Sequence, residues 1–178
     1  MNSTTTAISK TLSTLAIDAV LVGLVLLMPT LSHLTALPLY RLNPMLLLLL
    51  AGMLFGGNRY NSMLLAVALP FVSCMAVGMP TATKALCMAA ELLTITVVYP
   101  LVRQERTSLP AIWLSSAAAM LCAKGGYYLL KMVLIGGILI ETSPTLQLVT
   151  VAGYSLLFAA ATVALRRSRD RRCGHDRC

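Results

Sequence analysis

The chain carries the stretch LSTLAIDAVLVGLVLLMPTL at residues 12–31. Apart from Asp18, every position in it is apolar, small, or Ser, Thr or Pro. A helix of that length rises about 30 Å, the thickness of a bilayer's hydrocarbon core. Five more apolar segments follow, at residues 44–57 (built around Leu46–Leu50), 62–78, 82–102, 110–135 and 146–165. The connections between them are rich in Gly, Pro and Asn, the residues that turn a chain. The pattern predicts an all-α polytopic membrane protein, a bundle of six transmembrane helices over residues 1–165, followed by a basic tail at 166–178.

Composition agrees. Of 178 residues, 58% are hydrophobic and 11% charged, with a mean hydropathy of +0.82. A soluble domain is about 25% charged. The chain has too few charges to cover a water-facing surface, which excludes disorder and argues against a soluble globule. The net charge of +8 therefore does not signal a nucleic-acid binder, because the apolar bulk would have nowhere to hide. One segment fits poorly. Residues 44–57 would rise only about 21 Å as a helix, so this helix is expected to begin before Pro44, or to stand nearly upright against its neighbours.

The charges also assign an orientation. With the N-terminus in the cytoplasm and six crossings, the inner segments hold Lys10, Arg59, Arg103, Arg106 and the six tail arginines. The outer segments hold only Arg41. This is a strong positive-inside bias, and it predicts an N-in/C-in topology. The tail accounts for half of the net charge, and its expected role is to fix topology and touch anionic lipid as a flexible cytoplasmic segment. No clean small-x-small cleavage site follows residues 12–31, so that segment is read as a retained span rather than a signal peptide.

An ionisable group inside a span costs a few kcal/mol and needs a reason. On the fourth span, Lys84, Cys87, Met88 and Glu91 follow the i, i+3, i+4, i+7 rule and share one face. On the fifth, Lys124, Tyr127 and Lys131 share a face, with Tyr128 beside it. If the two stripes face each other, three ammonium groups and one carboxylate gather in the outer half of the membrane. One Lys neutralises Glu91, and the other two want an anion. The functional reading is an outward-facing pocket for a small anionic solute, walled by Met88, Tyr127 and Tyr128. The structural reading is a Glu91–Lys124 pair joining two helices, with Lys84 and Lys131 snorkelling to the headgroups.

Two other features stand out. On the first span, Ala16, Ala19 and Gly23 form a small-residue surface beside Asp18, suited either to packing within the bundle or to docking a partner membrane protein. The first outer loop, residues 33–44, is too apolar for a plain solvated loop. It is expected to act as a lid over the pocket, with His33, Tyr40 and Arg41 available to a ligand, or to lie as a turn at headgroup depth.

Catalysis finds no support. The two histidines, His33 and His175, fall on opposite sides of the membrane, so no Ser–His–Asp or Cys–His set can assemble. There is no Walker A sequence and no intramembrane metal motif. Cys74, Cys87 and Cys122 read as small apolar fillers of the spans. No enzyme activity, cofactor or metal is expected.

The layout across about residues 10–165 resembles the substrate-binding S components of energy-coupling-factor (ECF) vitamin transporters. The resemblance rests on the six-span N-in/C-in plan, on the Ala16, Ala19 and Gly23 surface and on the long apolar loop 33–44. It implies a binding subunit in a bacterial cytoplasmic membrane that captures a vitamin-like micronutrient from the outer side. Uptake would be energised by a separate transmembrane coupling subunit, docked on the small-residue surface, and by ATPase subunits. The solute site would lie on spans four to six and the loop, matching Lys84, Met88, Glu91, Lys124, Tyr127, Lys131, His33, Tyr40 and Arg41. The lysine excess points to an anionic solute. The competing expectation is a structural membrane protein of the rod-shape scaffold type, which carries no solute and uses its lysines as glue between helices.

Overall fold

A computed structural model describes residues 2–35, 43–56, 58–78, 80–103, 108–136 and 144–175. These residues form six helices: α1 (Asn2–Thr35), α2 (Pro44–Phe55), α3 (Arg59–Val77), α4 (Ala82–Arg103), α5 (Leu109–Ile135) and α6 (Pro144–His175). No strand occurs among the described residues. Five of the helices are long and apolar enough to cross a membrane, and α2 is the short one. The protein is an all-α helical bundle of the multi-pass membrane type.

Residues that stop or start a helix are legible locally. Gly78 ends α3 at φ 73°, and its N–H donates to the Cys74 carbonyl at 3.0 Å. Only glycine takes that left-handed turn without strain. Asn58 caps α3 by accepting from the Tyr60 N–H at 3.1 Å. Helix α2 begins at Pro44 itself, after Asn43 at φ 49°. The expectation that it starts earlier is thus corrected: Asn43 leaves helical geometry, and a proline suits the first helical turn but not the interior.

The shortness of α2 is explained by its place. A helix of this length rises only about 18 Å, well short of a bilayer's hydrocarbon core. Yet Leu46, Leu48, Leu49 and Leu50 are all buried, against Leu21 and Val25 of α1, Leu65 and Leu69 of α3, and Val151 and Phe158 of α6 in one apolar cluster. Gly52 permits the closest approach. A Cβ there would stand 2.7 Å from Leu65 Cδ1 and 3.3 Å from Leu21 Cδ1. The other helices turn much of their apolar surface outwards, as at Leu12, Leu15, Leu64, Leu114 and Leu157. In water that would be a fault, but against lipid it is the expected solvent-facing surface.

Four buried Ser and Thr hydroxyls are satisfied within their own helices. Thr96, Ser115, Ser155 and Thr162 each donate to a carbonyl three or four residues back, an arrangement that short hydroxyl side chains readily adopt in helices. Ser116 also reaches the Ser155 carbonyl at 3.4 Å, tying α5 to α6. One polar tie joins α1 to α3: Asn61 Nδ2 donates to Asp18 Oδ1 at 2.9 Å.

Within the described residues the basic tail continues α6. Helix α6 runs unbroken from Pro144 to His175. The tail's arginines are good helix formers, and no glycine or proline lies between Arg166 and Cys173. Positive charge near a helix C-terminus also complements the macrodipole.

Candidate functional site

Helices α4 and α5 pack against each other as an antiparallel pair. The two charged stripes do face each other: Lys124 Nζ lies 2.7 Å from Glu91 Oε1. Glu91 is almost fully buried, with its side chain 3% exposed against 21% for Lys124. The contact is an ion pair rather than a well-angled hydrogen bond, since Oε1 has no hydrogen-bond partner of good geometry. Lys124 Nζ also stands 5.5 Å from the Tyr127 ring centroid. The ammonium is thus shared between a carboxylate and an aromatic face.

The rest of the stripe follows from register. In an antiparallel pair, equal steps in opposite directions stay level. Lys131 lies two helical turns beyond Lys124, and Lys84 two turns before Glu91, so each is about 10.5 Å along its helix from the ion pair. Both steps lead to the same end of the bundle. Lys131 is buried at 5% exposure, and Lys84 is half-buried. Lys131 is also an electrostatic neighbour of Cys87, the buried residue one turn from Lys84. The arrangement therefore sets two lysines level with each other, two turns from a pair in which the lone carboxylate of the stripe is already engaged.

Aromatic side chains extend this site towards α6. Tyr127 and Tyr128 stand edge to face at 5.4 Å. The Tyr128 hydroxyl accepts a hydrogen bond from Gln147 Nε2 of α6. Sequence reasoning misses Gln147, although an amide in an apolar span is itself a signal of a polar partner. Met88 is half-buried and packs against the apolar cluster.

Of the loop candidates, Tyr40 and Arg41 lie outside the described residues. His33 falls in the last turn of α1, and its side chain is likewise outside them. The small-residue surface of α1 is better defined. Ala16 and Ala19 are exposed, and a Cβ on Gly23 would meet nothing within 4 Å. Among the described residues, the exposed Ala16 and Ala19 and the half-buried Gly23 do not serve as a close helix contact. Asp18 is turned to Asn61 of α3 instead. Asn61 reads as a turn residue in the sequence, and only the fold identifies it as the partner of Asp18. Among the described residues, no group of three or more His, Cys, Asp or Glu side chains could hold a metal ion.

No protein-family model, curated protein or solved structure matches this chain.

Proposed function

We propose that this membrane protein is the binding subunit of an uptake system for a small anionic micronutrient, of the vitamin class, in a bacterial cytoplasmic membrane. The observation that carries the proposal is the level pair Lys84 and Lys131, which sets two ammonium groups, one of them buried, at one end of α4 and α5. Two ammonium groups level with each other inside a bundle make a positive site, and an anion beside them is favoured there. A carboxylate or phosphate of a solute is attracted to that site, while Tyr127 offers a ring wall.

In this reading the bundle lies N-in/C-in, and the Lys84/Lys131 end opens outwards. The Ala16, Ala19 and Gly23 surface is the docking face for a coupling subunit, and ATPase subunits provide the energy. The chain itself does no chemistry. A second reading, a scaffold without solute, is favoured by the Glu91–Lys124 pair alone, because that pair suffices to join α4 to α5.

Native mass spectrometry of the purified chain, with thermal shifts across a vitamin panel, separates the two. The binding reading expects a co-purifying solute or a ligand-dependent shift, lost in Lys131→Gln. No solute, and no shift with any member of the panel, overturns it and leaves the scaffold.

A further inference from the structure

The opposite end of the bundle holds a second polar site. Asn58, Arg59 and Ser62 at the start of α3 meet Thr96, Tyr99 and Arg103 at the end of α4 around a partly open cleft of about 310 Å³. Two arginines from different helices line it, and among the described residues no carboxylate does. Arg103 has a local reason to be there, since cations suit the last turn of a helix. Arg59 does not. It opens α3, where the helix dipole is already positive, so it adds charge of the wrong sign for its helix.

Tyr99 supplies an independent observation. Its ring is held edge to face by Phe158 at 5.1 Å, and the Arg103 guanidinium stands 5.7 Å from its centroid. The residue is 5% exposed. Its hydroxyl is buried and has no hydrogen-bond partner of good geometry among the described residues. Buried tyrosine hydroxyls normally have one. Arg103 is the charged neighbour of this hydroxyl, but a guanidinium only donates and offers the phenolic proton no acceptor. Two guanidinium groups therefore line the cleft, and Tyr99, whose hydroxyl has no acceptor among the described residues, forms part of its wall.

We propose that this cleft binds a phosphate group, with Arg59 and Arg103 as cationic clamps and the Tyr99 hydroxyl as a further donor. Guanidinium forks match the oxygens of phosphate in geometry as well as charge. The phosphate is carried either by an anionic lipid headgroup or by a soluble phosphate. The proposal is independent of the solute site at the Lys84/Lys131 end, and either can fail without the other.

The test uses the full chain in detergent. One arm offers equal amounts of phosphatidylglycerol and phosphatidylcholine and counts retained lipid by native mass spectrometry. The other titrates inorganic phosphate against chloride at constant ionic strength and follows the melting temperature. Binding should fall about tenfold in the Arg59→Gln/Arg103→Gln double variant, the loss expected for removing hydrogen bonds to a charged group. Tyr99→Phe keeps the ring packing and should weaken binding several-fold, which keeps the test decisive if the double variant does not fold. Preference for phosphatidylglycerol without a phosphate shift supports the site with a lipid as source, and a phosphate shift supports it with a soluble source. The proposal is overturned if neither arm responds, or if Tyr99→Phe and the double variant, where it folds, bind as the parent does.

Discussion

Lys124 Nζ and Glu91 Oε1 stand 2.7 Å apart between α4 and α5, with the carboxylate the more deeply buried of the two. That asymmetry governs what happens when the pair is broken. Lys124→Met strands a carboxylate that is 3% exposed in the bundle. Glu91→Gln strands an ammonium that keeps its flexible stem and part of its exposure, so it can reach towards a wetter region.

Lys124→Met should therefore destabilise the bundle by about 3 kcal/mol, and Glu91→Gln by less, on the pattern of broken buried pairs. The double variant Glu91→Gln/Lys124→Met should recover much of the loss. Unfolding in mixed micelles at rising dodecyl sulfate fraction measures all three. Equal losses in the two single variants would show that burial does not set the cost.

The tie between α1 and α3 gives a second prediction. Asn61 is the described partner of Asp18, at 2.9 Å. Asn61→Leu leaves a carboxylate without that donor and should cost about 1–2 kcal/mol, as a lost hydrogen bond to a charged group does. Asp18→Asn retains an acceptor for Asn61 and should cost less. The same unfolding assay decides, and an unchanged Asn61→Leu midpoint would mean that the bond contributes nothing.

Close approach at Gly52 gives the third. A single Cβ already comes within 2.7 Å of Leu65 Cδ1. Gly52→Ala needs the flexible end of Leu65 to shift and that of Leu21 to give slightly. Gly52→Val adds two further methyl groups against both Leu65 and Leu21, and overpacking of that kind costs about 1–3 kcal/mol. The expected order of melting temperature is parent, then Ala, then Val. A Val variant that melts with the parent would show that α2 and α3 can separate at this point without loss.

The six helices were legible because hydropathy and turn residues both mark them. Gly78, Asn58 and Pro44 stop or start helices where their local chemistry says they should. Which face of each helix points inwards was far less legible. In water, an apolar face means a buried face, but in lipid both sides of α1 are apolar, and Leu21 is buried while Leu15 is not. The charged stripes escaped this ambiguity, since spacing alone puts Glu91 and Lys84 on one face. Their apposition to Lys124 and Lys131 still needed the fold, as did the partners Asn61 and Gln147. Tyr99 gave no signal at all, because a tyrosine near a span end is ordinary. Only its buried hydroxyl beside Arg103 sets it apart.

The same ambiguity yields the last prediction. Leu49 of α2 is 0% exposed and Leu15 of α1 is 59% exposed, yet both sit in apolar stretches that sequence cannot tell apart by hydropathy. Association of helices in lipid depends on packing, not on withdrawal from water. Leu15→Ala exchanges one lipid contact for another and should change stability by less than about 0.5 kcal/mol, like other substitutions away from the packed core. Leu49→Ala opens a cavity among the leucines of α2 and α3, and cavity formation in a close-packed interior costs about 2 kcal/mol or more. Paired unfolding curves measure the difference. Equal effects at the two positions would mean that α2, the shortest helix, is not the packed centre of the bundle. It would then have to be accommodated as a partial span at the lipid boundary.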